Sequence, residues 1–262
     1  MPLVCRHIRG GTTLLLWEIA ESERQLCALV NAQDRLSAGR FRSPGRRIEH
    51  LAWRAALREI VGAEAEVHYD EVGRPYIGIG IAGADVGTET GSKLEGGNGL
   101  RVKGDADAGA TNGAALYTGT VDGEAGRLFV SAAHTRGMAA VVVSDRPCAV
   151  DIERATRDMR RAVPRFISAD ERALPGSAAA EFPVTMWCAK EALYKFAGQQ
   201  GLDFLADIEV ADFQIASAGS EAEPEAGHET GLEAGRMMGR AGAICGIPLY
   251  IMRFGDYIVV YI

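Results

Sequence analysis

Two segments far apart in the chain most constrain how it can fold. Ala149-Val-Asp-Ile-Glu153 alternates apolar and acidic residues, which is the pattern of a strand. Its period of two sends Val150 and Ile152 to the core and puts Asp151 and Glu153 together on the other face. Further on, Trp187-Cys-Ala-Lys-Glu-Ala-Leu-Tyr-Lys195 reads as part of a helix over Val184 to Ala197, started by Pro183 and ended by Gly198. Val184, Trp187, Cys188, Glu191 and Tyr194/Lys195 lie on one stripe of that helix, so Glu191 interrupts a buried face. If strand and helix pack, three carboxylates meet. At an effective dielectric of 20, each pair near 4 Å costs about 4 kcal/mol. A hard divalent cation removes that penalty and creates a place for phosphate oxygens. The oxygen-only donor set favours Mg²⁺ on Asp151, Glu153 and Glu191. The plain alternative is an i,i+4 pair between Glu191 and Lys195, worth about 0.2–0.5 kcal/mol, with Asp151 and Glu153 as surface charges on an edge strand.

The chain has 262 residues, 47% of them hydrophobic, enough for one large domain or two lobes sharing a site. A net charge of −7 argues against nucleic acid as the main partner. The five cysteines are scattered without CxxC spacing, which fits reduced core residues better than a disulfide framework or zinc site. Leu14 to Trp17 is too short for a signal sequence, and no run approaches a membrane span of about 20 residues. The expectation is a cytoplasmic protein that does not act on membranes.

Along the chain, Thr12 to Ile19 reads as a strand and Ser22 to Leu29 as a helix capped by Ser22. A basic stretch, Arg35 to Arg58, turns helical from Arg46 and stops at Gly62. Val67 to Tyr69 is a brief strand, followed by a turn at Gly73-Arg-Pro-Tyr76. The stretch 78–126 holds 14 of the 32 glycines and is expected to be a long insertion, with a short strand near Leu116 to Thr120. Its GxGxxG-like glycines lack the following helix that a dinucleotide site needs. Met138 to Ser144 and Cys148 to Glu153 flank Asp145-Arg-Pro147 and are expected to form a hairpin. Arg154 to Phe166 and Ala169 to Leu174 read as helices, Phe204 to Phe213 as a strand, and about 217–242 as a loose segment. Leu249 to Phe254 and Tyr257 to Ile262 form a final hairpin about Gly255-Asp256. The expected fold is α+β, two similar α/β lobes related by a pseudo-twofold. The expected division is 1–127 and 128–262, with the metal site in the second lobe.

Some polar residues could serve an anion. His134 ends a strand, Arg40, Arg46, Arg47 and Arg54 lie in the basic stretch, and Arg74 lies in the turn. Each could equally be a solvated or structural group.

The order Gly73-Arg-Pro75, then Ala133-His-Thr135, then Ala149 to Glu153, then Trp187 to Lys195 resembles the 4'-phosphopantetheinyl transferase superfamily. It is most similar to the longer, two-lobed monomeric type. Asp151, Glu153, Trp187, Lys190, Glu191 and Lys195 match that family's two most specific motifs, with the FxSxxE-like run Phe166 to Glu171 between them. The resemblance implies transfer of phosphopantetheine from coenzyme A to a serine of an apo acyl or peptidyl carrier protein, releasing 3',5'-ADP. It implies Mg²⁺, or Mn²⁺ in its place, on Asp151, Glu153 and Glu191. Asp151, Glu191 and Lys195 would be catalytic. Arg40, Arg47, Arg74, His134, Lys190 and Lys195 would bind coenzyme A, with Arg47 preferred within the basic stretch. Two departures stand out: Ala133 replaces a usual serine and Ala149 a usual glycine. Arg154, Arg157, Arg161 and Arg165 would form a basic face for an acidic carrier if their segment is helical. The competing readings are a Mg²⁺-dependent hydrolase of coenzyme A or another phosphoanhydride, and a non-catalytic carrier-binding paralogue.

Overall fold

The computed structural model describes residues 3–78, 126–215 and 232–262. The glycine-rich stretch between Gly78 and Gly126, its expected strand included, lies outside them, as does most of the loose segment before Leu232. In chain order the elements are β1 (Leu3–Arg9), β2 (Thr12–Glu18), α1 (Glu23–Leu29), α2 (Ala32–Ala38), α3 (Pro44–Val61), β3 (Val67–Tyr69), β4 (Pro75–Gly78), β5 (Arg127–Thr135) and β6 (Met138–Ser144). Then come β7 (Val150–Arg154), α4 (Ala169–Arg172), α5 (Phe182–Ala197), β8 (Ile208–Ile215), β9 (Leu232–Ala241), β10 (Ile244–Phe254) and β11 (Tyr257–Tyr261).

The described strands make two antiparallel sheets, ordered β1-β2-β6-β5-β4-β3 and β7-β11-β10-β9-β8. β6 shows how they stack. Every one of its residues is buried. Ala139, Val141 and Val143 face one core with α3, while Met138, Ala140 and Val142 face a second core shared with the other sheet. β2 divides in the same way, Leu15 and Trp17 against Leu14 and Leu16. On the second sheet, Val150, Ile152, Val259 and Tyr261 look towards the first sheet, and Ile258 and Val260 look towards α5. The layers are therefore α3, sheet, sheet, α5, an α+β architecture. A continuous apolar run such as Leu14 to Trp17 is what a strand covered on both faces requires.

Several local readings hold. Ser22 caps α1 in a reciprocal box with Gln25, α3 ends at Gly62, and Gly198 ends α5 in the left-handed region at φ 61°. The final hairpin pairs Phe254 with Tyr257.

Other readings need correction. β6 and β7 are not a hairpin, because β2 and β5 already occupy both edges of β6. β7 pairs with β11 instead. The chain changes sheet at the turn between Ser144 and Val150, not at 127/128, since β5 and β6 complete the first sheet. Arg154 to Phe166 is not a helix but a set of turns ending in a 3-10 turn at Val163–Arg165. Pro164 would remove a donor from a helix interior, and Asp158 takes the Arg160 backbone N–H at 3.1 Å in competition with a helical bond. The end of the supposed loose segment is β9. Its Gly239 lets α5 lie close, for a Cβ there would come within 2.6 Å of Leu193. Among the described residues no helix is long and apolar enough to cross a membrane.

Candidate active site at the edge of the second sheet

β7 is an edge strand, and its Val150 N–H donates to Ser131 Oγ of β5 at 3.1 Å, tying the two sheets together. On its α5-facing side Asp151 and Glu153 lie opposite Val260 and Ile258 of β11. Lys195 reaches Asp151 from the last turn of α5. Its Nζ donates to Asp151 Oδ1 at 2.8 Å and to the Val150 carbonyl at 3.0 Å. Asp151 Oδ2 is buried and receives no hydrogen bond. The buried Cys188 thiol beside it is pushed well above the usual thiol range, first by burial and then by the Asp151 charge.

Glu191 is half-buried one turn before Lys195. Burial raises its carboxyl pKa and the Asp151 charge raises it further, against the opposing pull of Lys195 and Arg157. Glu153 is engaged differently. Thr135 Oγ1 donates to its Oε2 at 3.0 Å, and Arg157 Nη1 donates to its Oε1.

Among the described residues no three His, Cys, Asp or Glu side chains are close enough together to hold a metal ion. The expected triad is therefore not ready-made, because Glu153 is turned to Thr135 and Arg157. What fits a divalent cation is the orphaned Asp151 Oδ2 with the uncommitted Glu191. Two carboxylates plus phosphate oxygens and water suffice for Mg²⁺.

A cleft of about 450 Å³ opens between the first sheet and the end of α5, and Arg46, Arg74, His134 and Lys195 line it with the aromatic rings of Trp53 and Phe129. A second cavity of about 640 Å³ includes Glu49, Glu153 and Arg157, and His134 borders both. The His134 ring lies 3.3 Å from Arg46 Nη1 and 3.6 Å from Glu49. Burial is the main force lowering its pKa, helped by Arg46 and Lys195 and opposed by Glu49 and Asp151. Arg74 pairs with Asp70 at 2.8 Å and reaches the Phe196 carbonyl at 3.5 Å, so the Gly73–Pro75 turn abuts the end of α5.

The structure relocates several expected cofactor contacts. Lys190 is fully buried, and its three donors go to Glu171 Oε1 at 2.8 Å and the carbonyls of Phe204 and Ile208 at 2.6 and 2.8 Å. No donor is left for a phosphate, so its role is structural. Arg47 is held by Glu23 at 2.7 Å and by the carbonyls of Phe41 and Arg42 at 3.2 Å. Its neighbour Arg46 faces the cleft instead. Arg54 is buried with Arg58 on Asp34, and Arg40 is exposed outside the cleft lining. Glu171 entered the sequence reading only as the end of the FxSxxE-like run; its roles as the partner of Lys190 and, with Ser168, as half of a capping box were not read from it.

His50 also borders the cleft, 2.6 Å from Ser37 Oγ. Burial, with Arg54 nearby, lowers its pKa from 6.5 to about 4. The folded chain thus refuses a proton that the unfolded chain accepts below about pH 6.5. This group should leave stability unchanged above that pH and lower it as pH falls towards 4. Denaturant unfolding across the range should show the loss, and the slope should flatten in His50→Gln.

Residues 147–233 match the family model described as the 4'-phosphopantetheinyl transferase superfamily. No curated protein matches the chain significantly. The matched stretch contains both the acidic edge strand and the lysine-bearing helix packed on it, so it is in this part that the chain is similar to the 4'-phosphopantetheinyl transferase superfamily.

Proposed function

We propose that the protein transfers the phosphopantetheine arm of coenzyme A to a serine of an apo acyl or peptidyl carrier protein. The superfamily match supports phosphopantetheine transfer in general. The observation that carries the finer reading is Lys195, which lines the cleft at the end of α5 and at the same time grips Asp151. A long ligand with an aromatic base, phosphates and a thin arm suits two cavities that meet at His134. Arg46, Arg74 and His134 hold the adenosine and phosphate end. The two sheet-and-helix halves correspond, in this reading, to the lobes of the longer family type.

Asp151 and Glu191 would hold Mg²⁺ or Mn²⁺, with Glu153 beside them. When bound, the cation supplies charge neutralisation on the diphosphate. Lys195 adds a fixed positive charge near the same oxygens. The carrier serine attacks the β-phosphorus, its proton passes to a carboxylate, and 3',5'-ADP leaves. Glu191 is suited to accept that proton, since burial has already raised its affinity for one.

The test is intact-mass analysis of an apo carrier protein incubated with the protein, coenzyme A and Mg²⁺. A carrier heavier by one phosphopantetheine is expected. Free phosphopantetheine with an unmodified carrier would mean hydrolysis instead, and no product at all would mean a non-catalytic binder.

A further inference from the structure

Arg157 is a second cation, besides Lys195, that the structure places on the acidic cluster. It donates to Glu153 Oε1, lies over the Trp187 ring at 5.5 Å and pulls against the raised pKa of Glu191. Its side chain is nevertheless 42% exposed, whereas that of Glu153 is 14% exposed. It sits in the turn segment after β7 beside the exposed Arg160 and Arg161. Lys195 already neutralises Asp151, so Arg157 is the group a divalent cation must compete with for Glu153.

We propose that Arg157 is a displaceable countercation: it keeps Glu153 off the metal site until an acidic carrier surface draws the guanidinium outward. This rests on the transferase reading and adds its regulation. Releasing Glu153 gives the cation Asp151 and Glu153 from one rigid strand. Glu191 is then free to accept the serine proton, which removes the conflict between its roles as ligand and base. Metal loading and carrier docking become coupled, and by linkage each strengthens the other by the same factor. Arg157 acts here as a positioning residue, since it touches neither donor nor acceptor atoms of the reaction.

The experiment is calorimetric titration of the full chain with Mn²⁺, with and without apo carrier, for the wild type, Arg157→Gln and Arg157→Lys. Arg157→Gln should bind Mn²⁺ about five- to tenfold more tightly than wild type, and Arg157→Lys should stay near wild type. Apo carrier should tighten Mn²⁺ binding in the wild type and leave Arg157→Gln unchanged. Equal or weaker Mn²⁺ affinity in Arg157→Gln overturns the proposal, and so does an equal carrier effect in both proteins. If no variant binds Mn²⁺ at all, the metal-site reading falls and this proposal with it. A failure of the coupling alone leaves Mn²⁺ binding intact, so the two failures are distinguishable.

Discussion

Asp151→Asn should lower kcat/KM for carrier modification by about 100- to 1000-fold while the protein stays folded. Asparagine keeps the shape of the side chain but removes the charge that Lys195 Nζ meets at 2.8 Å. It also removes the buried, unpartnered Oδ2. Two consequences separate this from a structural defect. Asp151 is one cause of the raised Glu191 carboxyl, so its neutralisation relieves a repulsion. Thermal unfolding should therefore stay near wild type, and Mn²⁺ affinity should fall together with activity. An Asp151→Asn protein that modifies the carrier at the wild-type rate would remove the site described here.

Lys190→Met should cost about 3–5 kcal/mol of stability, a large share of the roughly 5–15 kcal/mol of an ordinary domain. Its Nζ is enclosed by one carboxylate and two carbonyls. Methionine fills the same space but leaves Glu171 as a buried charge with no counter-ion, and Glu171 is only 2% exposed. Glu171 also accepts the backbone N–H groups of Ser168 and Val210 at 2.8 and 3.0 Å, so its loss would loosen both α4 and β8. The double variant Lys190→Met with Glu171→Gln should recover part of the loss because no buried charge remains. Chemical denaturation of the three proteins measures this. A phosphate-binding lysine would behave in the opposite way, with a raised KM for coenzyme A at unchanged stability.

The contrast between Lys190 and Lys195 shows what local sequence can carry. Both fall in the same helical motif and both are lysines near a glutamate. Only the packing of β8 and α4 around one face of α5 buries Lys190, while the other face looks onto β7 and the cleft. Arg46 and Arg47 repeat the lesson on α3. Adjacent residues on a helix point about 100° apart, so one faces the cleft and the other closes onto Glu23 and the preceding loop. The periodicity of the stretch did not reveal which.

Missed elements have similar causes. β1 is an edge strand with Cys5 as its one buried residue, so it carries little apolar alternation. β9 contains Gly235 and Gly239, which weaken a strand signal, yet Gly239 is where α5 approaches the sheet. The turns after β7 carry arginines at helical spacing, but Pro164 and Asp158 prevent a helix there. Regular spacing of charges does not by itself form backbone hydrogen bonds.

From sequence alone came the elements whose causes lie within a few residues: the α3 and α5 helices with their glycine ends, the final hairpin, the alternation that puts Asp151 and Glu153 on one face, and the helical stripe that carries Glu191. Only the tertiary structure decided that β7 joins β11, that Glu153 is held by Arg157 and Thr135, and that Lys190 is structural. Strand pairing and ion pairing depend on which surfaces meet across the chain, and that choice is made by packing two sheets and two helices around shared cores, far from the residues that display the result.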